Sequence, residues 1–123
     1  NQSIIYPKLK LGNIEAVRDW SHAQDFVRGM WMMLQAEYSD DYVLASGTGR
    51  SVKDFIKIAF ASIGEDFPEH YYVIDPQFYR PSEVPFLQGR AFKAKEKLGW
   101  EPKISFEELV RGMVQYDIEL LKC

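Results

Sequence analysis

Apolar residues recur three and four positions apart in residues 21–37, 51–63 and 105–121, the spacing at which side chains share one face of a helix. In the first stretch these residues are Ala23, Phe26, Val27, Met30, Trp31 and Leu34. We therefore predict three amphipathic helices. The apolar residues of the last one are predicted to face inward, and the cluster at residues 30–33 of the first one is predicted to serve as core and interface, not as a cofactor site. A fourth, short helix is predicted at 91–98, where Gly99 would end it.

The starts of the longer helices carry candidate capping residues. Asp19 or Ser21 is placed to accept hydrogen bonds from the first turn of the helix at 21–37. The other two helices open on a serine with an acid three residues later, which is the spacing of a capping box; the pairs are Ser51 with Asp54 and Ser105 with Glu108.

Short apolar runs between these helices predict strands. Residues 4–12 read as a strand that is surest at 8–11, residues 41–46 as a buried strand, and residues 71–74 as another. Prolines break regular structure from 75 to 88, which predicts a loop. The alternation of strands and helices predicts an α/β fold, a small partial sheet with packed helices, and residues 1–123 as a single domain.

Composition narrows the class of protein. With 46% hydrophobic and 15% aromatic residues the chain can form a core. Its net charge is −3 without a basic stripe, which argues against a nucleic-acid partner. A single cysteine, Cys123, excludes a disulfide framework and is typical of a reducing, cytoplasmic location.

The termini and hydropathy argue against a membrane protein. No apolar run approaches the roughly 20 residues of a membrane helix. The N-terminus does not read as a signal peptide, and Asn1 suggests a truncated chain or an unusual start instead.

Motifs for catalysis or metal binding are weak. Tyr6 and Lys10 have Tyr-x-x-x-Lys spacing, but in an extended segment they would lie about 13 Å apart, so we interpret the match as chance. His22 and His70 have no partners at ligand spacing, so we predict a helix-start residue and a surface residue, and no metal site.

Residues 47–49, Gly-Thr-Gly, sit before a predicted helix, as a dinucleotide-binding loop would. The third glycine of that motif would stand at Val52, so a plain turn is the favoured interpretation. Arg50 and the helix N-terminus remain an alternative place for a phosphate.

Two arginines and a glutamate are the better candidates for binding. A guanidinium can bond two oxygens of a diphosphate in one plane, which suits Arg18 and Arg80. Glu83 lies in the same proline-limited loop as Arg80 and could accept hydrogen bonds from ribose hydroxyls. The residues alone leave other pairings open: Arg18 with Asp19 or a nearby acid, and Arg80 with Glu83.

Several segments together resemble a known family. They include Leu-Gly-Asn at 11–13, Arg-Asp-Trp at 18–20, Tyr-Arg-Pro-Ser-Glu-Val at 79–84 and Lys-Leu-Gly-Trp-Glu-Pro at 97–102. In this order they resemble the C-terminal, substrate-binding part of the GDP-mannose 4,6-dehydratases, a branch of the extended short-chain dehydrogenases. The resemblance runs from about residue 9 to the end of the chain.

The resemblance implies a site and a reaction. Arg18 and Arg80 would bind the diphosphate of a GDP-sugar, Glu83 its ribose, and Gly12 and Asn13 would line the same site. The whole enzyme converts GDP-mannose to GDP-4-keto-6-deoxy-mannose and water with bound NADP. The N-terminal Rossmann half that carries the cofactor site and the catalytic residues is not in this chain, so the resemblance implies that the chain alone binds no cofactor and is inactive.

The chain departs from the family pattern at Ser21 (usually glycine), at Arg90 (usually aspartate) and in a shortened segment at 64–71. Two alternatives remain open. The chain could be a non-enzymatic interaction or small-molecule-binding module, since an incomplete sheet leaves an apolar face for another chain or for a homo-oligomer. It could also be part of another nucleotide-sugar epimerase or reductase.

Overall fold

The computed structural model of the chain describes residues 6–122. Positions 4 and 5 of the first predicted strand, Asn1 and Cys123 lie outside this range. Four short strands and four α-helices alternate along the described residues, which confirms the α/β class. The strands are β1 (Leu9–Leu11), β2 (Val17–Asp19), β3 (Gly49–Ser51) and β4 (Tyr72–Ile74). The helices are α1 (Ala23–Gln35), α2 (Val52–Ala61), α3 (Phe92–Leu98) and α4 (Phe106–Leu121).

The strands form two separate pairs instead of one small sheet. β1 and β4 are parallel, with Leu9 opposite Tyr72 and Leu11 opposite Ile74. β2 and β3 are antiparallel, and Arg18 lies opposite Arg50 at the centre of the pair. The predicted strands at 8–11 and 71–74 are thus confirmed, whereas β2 and β3 were not predicted.

The predicted buried strand at 41–46 is wrong. These residues have no regular secondary structure, and only Ala45 among them is buried. An extended segment becomes a strand when a neighbour accepts its backbone hydrogen bonds. Within residues 6–122, no strand pairs with this segment. Ser46 at its end and Gly47, which follows it, donate their backbone N–H groups instead to the carboxylate of Asp19 in β2.

The helices lie close to their predicted positions, and their caps explain where they begin. Ser51 accepts from the backbone of Asp54, whose carboxylate accepts in return from Ser51, so the capping box of α2 is confirmed. Ser105 accepts from the backbone of Glu108 at the start of α4. The prediction that Asp19 or Ser21 caps α1 is wrong, because the cap is His22, whose Nδ1 accepts from Gln24.

The core lies where β2, α2 and α4 meet the segment after α3. Trp20, Phe55 and Phe106 form an aromatic cluster with ring centroids 5.1 to 6.2 Å apart. Trp100 and Val110 are completely buried, and the indole N–H of Trp100 donates to the backbone carbonyl of Asp25 in α1. These contacts fix β2, the strand that carries Arg18, on the helices.

The apolar face predicted for α1 is not covered. Trp31 is 61% exposed and Leu34 is 82% exposed. Val27 and Met30 are also more than half exposed. The buried residues of this helix are Asp25 and Gly29. The prediction that Met30 and Trp31 belong to a core is therefore wrong within residues 6–122, and their role in an interface stays a prediction. No helix in the described range is both long and apolar enough to span a bilayer.

Candidate functional site

Arg18 lies at the centre of β2, where its backbone is held by β3 and its side chain is partly exposed. Its Nη1 donates to the carbonyl of Val17 at 2.7 Å. Its Nη2 lies 3.5 Å from Oε1 of Glu83. A charged hydrogen bond between such groups is usually 2.7–2.9 Å long, so this is a loose ion pair that leaves both groups able to bind something else.

The loop that carries Glu83 runs along the free edge of β2. Val17 donates its backbone N–H to Pro85 at 2.9 Å and accepts from Leu87 at 2.9 Å. These two bonds make a parallel bridge between Val17 and Phe86. A position that is far from Arg18 in sequence is therefore brought beside it by backbone pairing. The pairing of Arg80 with Glu83 that the sequence left open is not the one formed, since Glu83 pairs with Arg18.

Arg80 occupies the same loop and is exposed. Within the described residues its guanidinium takes part in no hydrogen bond or ion pair, so its donors are available to a ligand. The short 3-10 helix Pro76–Phe78 precedes it, capped by Asp75, whose carboxylate accepts from Gln77. This rigid turn and the following Pro81 limit the directions in which the loop can leave β4.

Gly12 and Asn13 lie just beyond β1, at the other end of this loop. A Cβ on Gly12 would lie 2.6 Å from the carbonyl oxygen of Phe78, so the two backbones touch only because residue 12 is glycine. The Asn13 side chain accepts from the backbone of Glu15 and fixes the turn toward β2. The structure thus brings Gly12 to the start of the loop and Arg18 to its middle, while Asn13 makes a local contact.

Asp19 ties three segments together at the end of β2. Its Oδ1 accepts from the backbone and hydroxyl of Ser46 at 2.8 and 2.7 Å. Its Oδ2 accepts from the backbones of Gly47 and Gly89 at 3.0 and 3.1 Å. Burial favours the neutral carboxyl, but these hydrogen bonds outweigh it and lower the pKa of Asp19.

Sequence reasoning missed this role of Asp19. All but one of its donors are backbone N–H groups, which every residue type except proline carries. The donors also lie far from Asp19 in sequence. No residue pattern near Asp19 therefore indicated which amides it would meet.

Arg50, the alternative place for a phosphate, is engaged by two neighbouring side chains. Its guanidinium lies 3.4 Å from Glu107 and over the ring of Phe106, 5.6 Å from the centroid. The preceding Gly47 has a φ of 82°, which supports the interpretation of residues 47–49 as a turn that leads into β3. Unlike the guanidinium of Arg18, that of Arg50 lies against an aromatic ring as well as a carboxylate, so one of its planar faces is covered.

The remaining motifs of the sequence are not brought together as sites. Tyr6 is 75% exposed ahead of β1, and Lys10 lies within β1, so the segment is extended, as expected. His22 caps α1, which confirms its prediction as a helix-start residue, and His70 stacks on Phe67. Across the described residues, no three His, Cys, Asp or Glu side chains form a group that could hold a metal.

A surface cavity of about 520 Å³ lies away from the predicted site, between the end of α1 and α3. Asp40 faces it and pairs with Lys93 at 2.7 Å and Lys97 at 3.5 Å. The hydrogen bond from Lys93 lowers the pKa of Asp40 to about 2. Glu37 also lines this cavity, so the two lysines are matched by two carboxylates and little net charge is left with which to bind an ion.

Comparison with known proteins identifies what the chain resembles. A family model described as GDP-mannose 4,6 dehydratase matches residues 4–113. GDP-mannose 4,6 dehydratase 1 of Arabidopsis thaliana is 50% identical over 115 residues, which are 94% of this chain and 32% of that protein. The chain spans about a third of the length of the curated relatives that it matches.

Solved structures show the same fold. The UDP-glucose 4-epimerase of Thermotoga maritima, solved with UDP-glucose, superposes with a TM-score of 0.81 at 30% identity, over 93% of this chain and 36% of that one. The dTDP-glucose 4,6-dehydratase of Bacillus anthracis, solved with NAD, superposes with a TM-score of 0.76 at 22% identity, over 91% of this chain and 34% of that one. The second likeness concerns the fold alone.

Proposed function

The chain belongs to the GDP-mannose 4,6 dehydratase family, and we propose that it is the substrate-binding domain of such an enzyme, folding as one unit. Its ligand would be GDP-mannose or a closely related GDP-sugar. The reaction to which it contributes would convert GDP-mannose to GDP-4-keto-6-deoxy-mannose and water. The observation that carries the proposal is the placement of Arg18, on a strand held by the core, beside Glu83 on the loop that also carries Arg80.

Each of these side chains suits one part of a nucleotide diphosphate. Arg18 and Arg80 present planar forks of N–H donors that match phosphate oxygens. Glu83 is an acceptor with two oxygens, which suits a pair of ribose hydroxyls. Two guanidiniums against one carboxylate leave an excess of positive charge at the loop, and a diphosphate would neutralise it.

The loose pairing of Arg18 with Glu83 supports this assignment. Their side chains are 29% and 21% exposed, so a ligand can reach both, while partial burial strengthens their interaction with it. A ligand whose diphosphate lies on Arg18 and whose ribose lies on Glu83 would replace one 3.5 Å contact with shorter bonds. Gly12 would line the same site where β1 meets the start of the loop.

The cofactor and the catalytic groups would come from another part of the enzyme. Residues 47–49 lack the third glycine of a dinucleotide loop, and Tyr6 and Lys10 lie in an extended segment. NADP would thus be held by an N-terminal Rossmann half, and the chain alone would be inactive. The exposed apolar residues of β1, β4 and α1 are where that half would pack; they include Leu9, Val73, Trp31 and Leu34.

Calorimetric titration tests the proposed function. The chain is titrated with GDP-mannose and with UDP-glucose, first alone and then with a dehydratase N-terminal half added. We expect binding that prefers GDP-mannose in at least one form. Equal or stronger binding of UDP-glucose would favour another nucleotide-sugar epimerase or reductase. The proposal would be refuted if neither ligand bound to the chain alone or to the chain with the N-terminal half.

Arg80→Ala sharpens this test. Loss of a charged, two-point contact costs about 1.5–3 kcal/mol, so the affinity for GDP should fall by about 10- to 150-fold. Arg111→Ala removes an exposed arginine of α4 and is the matched control, for which no change is expected. Unchanged affinity of the Arg80 variant would contradict the proposed site.

The uncovered face of α1 suggests a second function, that of an interaction module. On this face four apolar side chains are more than half exposed: Val27, Met30, Trp31 and Leu34. An interaction module or a homo-oligomer would use such a face. Sedimentation over a range of concentrations distinguishes the two proposals. Self-association that Leu34→Glu abolishes, together with no affinity for GDP-sugars, would favour the interaction module.

A further inference from the structure

The loop with Arg80 and Glu83 is attached to the rest of the molecule at few places. Its start touches Gly12 through Phe78, and its middle forms the two backbone bonds with Val17. Its end is held by the bond from the Gln88 side chain to the carbonyl of Gly47 and by the bond from the Gly89 backbone to Oδ2 of Asp19. Asp19 therefore closes the loop on the strand that presents Arg18.

We propose that Asp19 is a positioning residue of the nucleotide-sugar site: by binding Gly89 and residues 46–47 it holds the loop with Glu83 in register with Arg18. This inference rests on the proposed function. Asp19 itself would touch no ligand. It acts by setting the distance between the groups that would hold the ribose and the diphosphate.

The close packing at Gly89 shows how tightly this end of the loop is held. A Cβ at position 89 would lie 2.5 Å from the Cβ of Ala45, closer than any two such atoms approach. Ala45 is buried next to Ser46, which is itself bound to Asp19. The loop end, residues 45–47 and β2 thus form one packed unit with the Asp19 carboxylate at its centre.

A carboxylate is required at this position because both of its oxygens accept. Each oxygen receives two hydrogen bonds, and all of the donors are N–H or O–H groups. Asparagine has the same shape but carries an NH₂ group in place of one oxygen. Asp19→Asn would therefore place its NH₂ group against at least one backbone N–H, whichever way its amide is turned: that of Ser46 on one side, or those of Gly47 and Gly89 on the other.

The experiment compares two ligands that differ only at the ribose. GDP and 2′,3′-dideoxy-GDP are titrated into the wild type, Asp19→Asn and Asp25→Asn, in the form of the protein in which the wild type binds GDP. Asp25 is the matched control, since it also accepts from two backbone amides, those of Lys103 and Ile104, but at a distance from the loop in sequence. Amide NMR of Gly89 reports the bond to residue 19 directly.

We expect the wild type to prefer GDP over the dideoxy ligand by about tenfold or more, as for a hydrogen bond to a charged group. Asp19→Asn should lose most of that preference, bind GDP at least about tenfold more weakly and shift the Gly89 amide upfield. Asp25→Asn should keep both the preference and the Gly89 shift. A general loss of stability would not change a ratio of affinities, so the ratio separates positioning from folding.

Failure of the inference is distinguishable from failure of the proposed function. If the wild type binds GDP and Asp19→Asn keeps the wild-type preference, the positioning role is refuted while the function stands. If the wild type binds GDP in no form, the function is refuted and the positioning role falls with it. Should Asp19→Asn not fold, Asp19→Ser removes the carboxylate without placing an NH₂ group against the backbone amides. The same two results, a lost or a kept preference for GDP, then decide the positioning role.

Discussion

Arg18 of β2 lies directly opposite Arg50 of β3, and each guanidinium is paired with a different glutamate. Arg18 is 3.5 Å from Glu83, which belongs to a loop, whereas Arg50 is 3.4 Å from Glu107, which belongs to α4. Like charges opposite each other on a strand pair are unfavourable unless each is compensated. The two arginines therefore serve different purposes, one toward the loop and one toward the core.

This difference predicts that replacing each arginine by alanine changes a different property, ligand binding for Arg18 and stability for Arg50. Arg18→Ala should weaken GDP binding by about 10- to 150-fold, since it removes a charged fork from the proposed site. Arg50→Ala should leave binding unchanged and lower the free energy of unfolding by about 0.5–1 kcal/mol, through the lost contact with the Phe106 ring. Titration and chemical denaturation of both variants check this. Equal binding defects would contradict the separate roles.

Gly12→Ala should destabilise the protein. The added Cβ would lie 2.6 Å from a backbone oxygen of Phe78, which cannot move without shifting the 3-10 helix Pro76–Phe78. Overpacking of this kind costs about 1–3 kcal/mol. Gly112→Ala on α4 is the control, since its Cβ would meet no atom within 4 Å and alanine favours a helix by about 0.5–1 kcal/mol. Urea denaturation should show the two changes with opposite signs.

Stability should fall with acid partly through Asp19. Its pKa is lower in the folded protein than the ordinary 3.8, so the unfolded chain binds the proton more readily. The stabilisation is complete above the unfolded pKa and is lost as the pH falls through the folded pKa. The free energy of unfolding of the wild type should therefore drop more steeply below about pH 4 than that of Asp19→Asn.

Asp25→Ala should lower the free energy of unfolding more than replacement of an exposed acidic residue by alanine does. Asp25 is only 2% exposed and accepts from the backbones of Lys103 and Ile104, both at 3.1 Å. Removal of the carboxylate leaves these amides without their acceptor, at a cost of about 1–3 kcal/mol each when buried. Asp66→Ala, at an exposed position, should change the unfolding free energy by no more than about 0.5 kcal/mol. Thermal unfolding of both variants measures the contrast.

Helices were predictable because their signals are local. The capping box of Ser51 and Asp54 and the helical spacing that follows it both lie within a few residues of α2. The strands at 8–11 and 71–74 were also found, since the first carries alternating apolar residues and the second an apolar run. The polar strand β2 was not predicted, because it forms by pairing with residues 49–51, which lie far from it in sequence.

The residue types at the candidate site were likewise determined by the sequence: its order of motifs identified Arg18, Arg80 and Glu83, and with them the family. The tertiary structure alone decided that Glu83 pairs with Arg18 and not with Arg80, and that Asp19 binds the loop instead of capping α1. The physical reason is that helical spacing and capping act between near neighbours, whereas backbone amides and ion pairs find partners only once the chain has folded.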